Sequence, residues 1–321
     1  MWDFSFAATA TLLRGALSFM LIRVAIYFGT AAAFVVAAGG GAGIGLAFGA
    51  FAASGGRAPG AFWGALAGIA CVALLLAWLR EYLLYLVRAG HVAALTLAHD
   101  RKRVRGTGRL GQALDLVQQR FRTTENLSEV DRLTRGALAD MLHIPQFMEA
   151  SLPAETRVSP ATLRLPFRLA FSFLPEVVLA RQFRSAAKDP WPGTRDALVL
   201  FLQNHRPLMR NALAVAAFTQ GATIAVFLLG LIPAAVMARA FPGGVLAIMV
   251  PLAAVFAWSV KQALLEPAAV AAMLQVWFLA IDGARPDTDW ESELTRVSGH
   301  FREIKARAAA APQGMRRSVV A

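Results

Sequence analysis

Long uncharged apolar stretches alternate along this chain with stretches of ordinary polarity. Four of them are long enough to cross about 30 Å of hydrocarbon as helices: Val24 to about Leu46, Ala58–Leu79, Ala212–Ala238 and Gly243–Val260. None holds an acidic or basic side chain. They lack the period-two alternation of a strand barrel, so helices are the spanning solution that satisfies the backbone. The expected fold class is therefore all-α: a polytopic helical membrane protein, its four transmembrane helices forming two hairpins, with a helical cytoplasmic region. Residues 1–99 make the first hairpin and a helical extension, and 100–210 a basic amphipathic region. Residues 211–283 make the second hairpin with its own extension, and 284–321 a C-terminal helix and basic tail.

The polar stretches carry helical periodicity of their own. Leu114, Val117 and Phe121, then Val130, Leu133, Ala137, Leu138 and Met141, predict two amphipathic helices parted near Thr123–Asn126, and Pro145 and Pro153 to Pro160 mark a loop. The stretch from Ala161 to Lys188 mixes apolar and aromatic residues with spaced bases. It predicts a helix interrupted at Pro166 and Pro175, lying in the headgroup plane or against the extensions at Tyr82–Ala98 and Ala263–Ile281. Thr194–Met209 is amphipathic and leads into the third span. Thr288 followed by Glu291 has capping-box spacing and predicts a helix to about Ala309.

Composition agrees with a membrane solvent: 57% of the 321 residues are hydrophobic and 16% charged, with a mean hydropathy of +0.53. The net charge is +12, and its distribution sets the expected orientation. Each hairpin link holds one base, Arg57 or Arg239, whereas Asp100 to Arg210 holds 18 bases against 11 acids. That region and both termini are expected in the cytoplasm of a bacterial inner membrane. Trp78 with Arg80, and Trp258 with Lys261, mark the same interface twice. Arg101, Lys102, Arg103, Arg105, Arg181, Arg184 and Lys188 are candidate headgroup contacts, attracted to anionic lipid at roughly 1 kcal/mol each near the surface. The same bases also serve simply as the topology signal.

Two patterns inside the apolar stretches bear on packing. Gly41, Gly45 and Gly49 in the first span and Gly60, Gly64 and Gly68 in the second each form a four-residue row, which lets two backbones approach closely. The rows face each other within the hairpin or join two copies of the chain. Gly39, Gly40 and Gly43 weaken the helix and predict a kink or break near Gly39–Gly45. The halves also show a weak parallel repeat, Leu86–Leu95 against Leu264–Met273. In its register Arg88 answers Glu266, so the two either pair across a pseudo-twofold axis or face water separately.

No motif reaches a reaction. The five histidines show no metal-binding spacing, the single Cys71 excludes a thiolate site, and neither a phosphate-binding P-loop nor a GxSxG elbow occurs. Asp282-Gly283-Ala284-Arg285 does not match the CDP-alcohol phosphotransferase motif: the upstream acid is missing at Leu279 and the spacing is wrong. No cofactor, metal or catalytic residue is expected. The expectation is a non-enzymatic scaffold or accessory subunit whose partners are membrane lipids, anionic ones above all, a protein partner or a second copy. Nucleic acid is not expected, and the alternative is an oligomeric transporter or channel subunit for a small or apolar solute.

Overall fold

The computed structural model describes residues 2–50, 57–100, 108–121, 124–144, 168–184, 189–240 and 245–310; the side chains of 57–58, 78–85 and a few others among them lie outside the description. Among the described residues every regular element is a helix. The protein is an all-α polytopic membrane protein, with four helices among the described residues long and apolar enough to cross a bilayer: Leu17–Ala50, Pro59–Ala77, His205–Arg239 and Met249–Ala280.

In chain order the helices are α1 (Phe6–Gly15), α2 (Leu17–Ala50), α3 (Arg57–His99), α4 (Gly108–Arg120), α5 (Thr124–Met141), α6 (Leu174–Arg184), α7 (Pro190–Gln203), α8 (His205–Ala240), α9 (Val245–Val260), α10 (Glu266–Ala280), α11 (Thr288–Val297) and α12 (Gly299–Ala310). A π-helical turn, Lys261–Leu265, joins α9 to α10 without a break. Gly283, at φ 67, turns the chain after α10, in a conformation that only glycine adopts freely.

The chain divides into two compact units that cut across the segments read from sequence. One contains Met1–Phe19, Tyr85–Phe218 and Pro267–Ala321, the other Met20–Leu84 and Thr219–Glu266. The first has a continuous core that draws Leu95 from α3, Leu133 and Leu138 from α5, Val177 from α6, Phe201 from α7, Leu208 from α8, Trp277 from α10, Leu294 from α11 and Phe301 from α12. In it α5 packs against α6, α7 and α12, and α7 packs against α6 and α12.

Four expectations are decided here. Of the two placements expected for α6, the structure has the one against the extensions: Leu174, Pro175, Glu176, Val177, Val178, Ala180, Gln182 and Phe183 are all buried, Glu176 meets Arg88 and Arg184 stacks on Phe278. The expected interruption near Pro175 is present: the chain is helical at 168–170, turns at 171–173 and restarts as α6, with Pro175 in the first turn, where a missing N–H leaves no helical bond unmade. The C-terminal helix is two helices. Asp287, not Thr288, caps α11 by accepting from the Asp289 N–H at 2.8 Å, and Glu291 reaches Lys305 instead, at 3.0 Å. Ser298 ends α11 and restarts the chain, its Oγ accepting from the Phe301 N–H at 3.0 Å while donating to Asp140 at 2.6 Å. Finally, α2 runs unbroken through Gly39–Gly45. The loop at Pro145 to Pro160, with Pro166, lies outside the described residues.

Candidate functional site

Pro267 organises the most unusual polar cluster of the spans. Lacking an N–H, it leaves the carbonyls one turn back without their usual donor. The helix widens by one residue, and the Glu266 N–H bonds to the Lys261 carbonyl. The Gln262 carbonyl, whose partner in that register would be Pro267, instead accepts from Nε of Arg23 at 3.1 Å. Arg23 is only 2% exposed. Its Nη2 lies 3.6 Å from Oε2 of Glu266, and the other oxygen of that carboxylate accepts from Nε2 of Gln262 at 2.8 Å.

The arrangement is not saturated. Neither Nη1 nor Nη2 of Arg23 has a hydrogen-bond acceptor among the described residues, and Oε1 of Gln262 has no donor. Tyr27, 3% exposed, lies one turn along α2 with the guanidinium carbon 6.0 Å from its ring, and it meets Trp258 edge to face at 5.4 Å. At an effective dielectric of about 20 a 3.6 Å charge separation is worth roughly 5 kcal/mol, set against a desolvation penalty of several kcal/mol per ion. The two nearly cancel. The pair therefore contributes little net stability relative to an apolar replacement of both partners.

The pair of Arg88 with Glu266 gives way to two others. Arg88 Nε lies 3.2 Å from Oε1 of Glu176, a 5% exposed carboxylate in the first turn of α6. That position favours a negative charge through the helix N-terminus as well as the guanidinium. Arg23 and Gln262 were missed because the first span was read from Val24, one residue past the charge. Pro267 immediately after Glu266 was the available signal for a disturbed helix.

The glycine rows meet within the hairpin. A Cβ added at Gly41 would collide with the Gly64 carbonyl, one at Gly45 with the Gly60 carbonyl, and one at Gly68 with the Ala37 carbonyl. One at Gly60 would also lie 3.3 Å from the Cα of Gly49. α2 and α3 therefore touch backbone to backbone along this seam.

The candidate headgroup residues separate. Arg184 forms an ion pair with Asp100 and stacks its guanidinium 3.6 Å from the Phe278 ring centre. Arg181 is partly buried, and burial lowers its pKa. Both belong to the packing of the first unit. Arg101, Lys102, Arg103, Arg105 and Lys188, and the side chain of Arg80, lie outside the described residues. Lys261 is half-buried in the π-helical turn. Among the described residues no group of three His, Cys, Asp or Glu side chains could hold a metal ion.

Comparison with protein families, with curated proteins and with solved structures finds no match.

Proposed function

We propose that the protein is a non-enzymatic scaffold or accessory subunit of a bacterial inner membrane, with both termini and its helical unit on the cytoplasmic side. The observation that carries this reading is the core of that unit. It is assembled from chain before the first hairpin, between the hairpins and after the second, so it is a built domain and not a set of loops linking spans. A domain with its own core offers a defined surface to a partner, and the basic run Arg101, Lys102, Arg103 and Arg105 adds a charge suited to anionic lipid or an acidic partner.

The test is native mass spectrometry from nanodiscs of mixed neutral and anionic lipid, comparing the wild type with a variant carrying glutamine at these four positions. Loss of retained anionic lipid or of a bound partner supports the reading; equal retention overturns the role of the basic run. Orientation is tested separately in a Cys71→Ser background. Arg57→Cys is expected to react with an impermeant thiol reagent from outside and Arg103→Cys is not.

One observation favours a second reading, a transporter or channel subunit. Buried ionisable side chains within spanning helices mark solute and proton pathways in many membrane proteins, and Arg23 with Glu266 is such a pair. Proteoliposome flux of organic anions and cations, abolished by Glu266→Gln, would move this reading to first place.

A further inference from the structure

Among the described residues, polar contacts fasten the N-terminal segment to its unit. Asp3 forms an ion pair with Arg210 and a reciprocal pair of hydrogen bonds with Asn211, whose Nδ2 donates to the carboxylate at 2.7 Å and whose Oδ1 accepts from the Asp3 N–H at 3.0 Å. Two residues on, the Ser5 N–H donates to Oε1 of Gln275 at 3.1 Å, and Nε2 of Gln275 donates to the Thr9 hydroxyl at 2.8 Å. Leu12 is buried in the core behind α1.

The segment also carries large apolar side chains that are exposed. Trp2 and Phe6 are 44% and 67% exposed, and Leu17, the first residue of α2, is 53% exposed. Trp2, Phe4 and Phe6 form a mutual edge-to-face cluster, with ring centres 5.1 Å, 5.3 Å and 6.0 Å apart, so the exposed rings are held in place. The hydroxyls of Thr9 and Thr11 donate to helix carbonyls at 2.9 Å, and neither needs water.

The depth of this cluster follows from α8. Arg210 is 61% exposed and is the last charged residue of that helix before Arg239; the intervening stretch spans. A base at the mouth of a span reaches into the headgroup layer. Asp3, bound to that base, brings Trp2 and Phe6 to the same level, where amphipathic and aromatic rings are preferred. We infer that the Trp2–Phe6 cluster is a lipid-interface anchor, seated at the headgroup and acyl-chain boundary beside Arg210. The inference rests on α8 being a span and is independent of the scaffold role.

The test uses the full chain in a Cys71→Ser background, reconstituted in vesicles of phosphatidylcholine and phosphatidylglycerol. Single variants Phe6→Cys, Leu229→Cys in the span and Ser292→Cys on the exposed face of α11 are labelled with bimane. Spin-labelled lipids carrying the nitroxide at the headgroup or deep in the acyl chain, and aqueous iodide, are the quenchers. The expected result is that Phe6→Cys loses most of its fluorescence to the headgroup nitroxide, little to the deep one and little to iodide. Strong iodide quenching without lipid quenching places the cluster in water and overturns the anchor. Protection from every quencher means a protein or second copy covers it, and overturns it as well. If Leu229→Cys is not quenched by lipid, the span itself is wrong, and that failure is separable from the anchor's.

Discussion

Arg23 and Glu266 come together at 3.6 Å from the first and fourth spanning helices, 2% and 14% exposed at their side chains. The pair forms where Pro267 forces the helix to open. Removing one partner leaves the other charge buried. Arg23→Ala is expected to lower stability by about 3 kcal/mol, read as an earlier unfolding midpoint in a sodium dodecyl sulfate titration. The double replacement Arg23→Met with Glu266→Leu should recover most of that loss. A double variant as unstable as the single one would mean that the guanidinium contributes through its bond to the Gln262 carbonyl and not through Glu266.

Pro267→Ala restores an N–H at the position that causes the π-helical turn. The helix is then free to close into α register, which reclaims the Gln262 carbonyl and removes the acceptor for Arg23 Nε. A substitution that improves intrinsic helix propensity is thus expected to leave the protein less stable. Hydrogen exchange across 261–267 should slow locally while the unfolding midpoint falls; faster exchange there would show that the turn has another cause.

Glycines in the same apolar helices should respond in opposite directions. Gly45→Ala or Gly64→Ala places a methyl group against a facing backbone, which neither side can move out of the way, at a cost of about 1–3 kcal/mol. Gly29 and Gly221 have nothing within 4 Å of an added Cβ, and alanine there should gain roughly 0.5–1 kcal/mol from helix propensity. Equal effects at all four sites in unfolding titrations would remove the case for a backbone seam.

His99 gives the first unit a pH dependence. Burial, with Arg184 nearby, lowers its pKa below the usual 6.5, and its ring lies 4.9 Å from that of Phe278. The folded state therefore binds fewer protons than the unfolded one. Its contribution is complete above about pH 6.5 and is lost as pH falls toward the lowered folded-state value. Unfolding titrations at pH 7.5 and pH 5 should show this drop, and His99→Gln should flatten it. An unchanged drop in the variant assigns the effect to other groups.

Much of the architecture was legible in the chain. The four spans follow from runs of apolar residues, and the split between α4 and α5 follows from helical periodicity, because hydropathy and propensity act over a few neighbouring residues. The four-residue glycine rows were visible for the same reason. The candidate site was legible only in part. Glu266 stood out as an acid in apolar surroundings, but the sequence by itself offered Arg88 as its partner through an apparent repeat. Tertiary structure decided that Glu266 meets Arg23, that Arg88 meets Glu176, and that α6, despite its arginines, packs into the core. Those outcomes depend on which helices become neighbours: Arg23 and the Gln262 carbonyl that it holds are 239 residues apart. A local pattern fixes the face that a helix offers, and only the packed fold decides what that face meets.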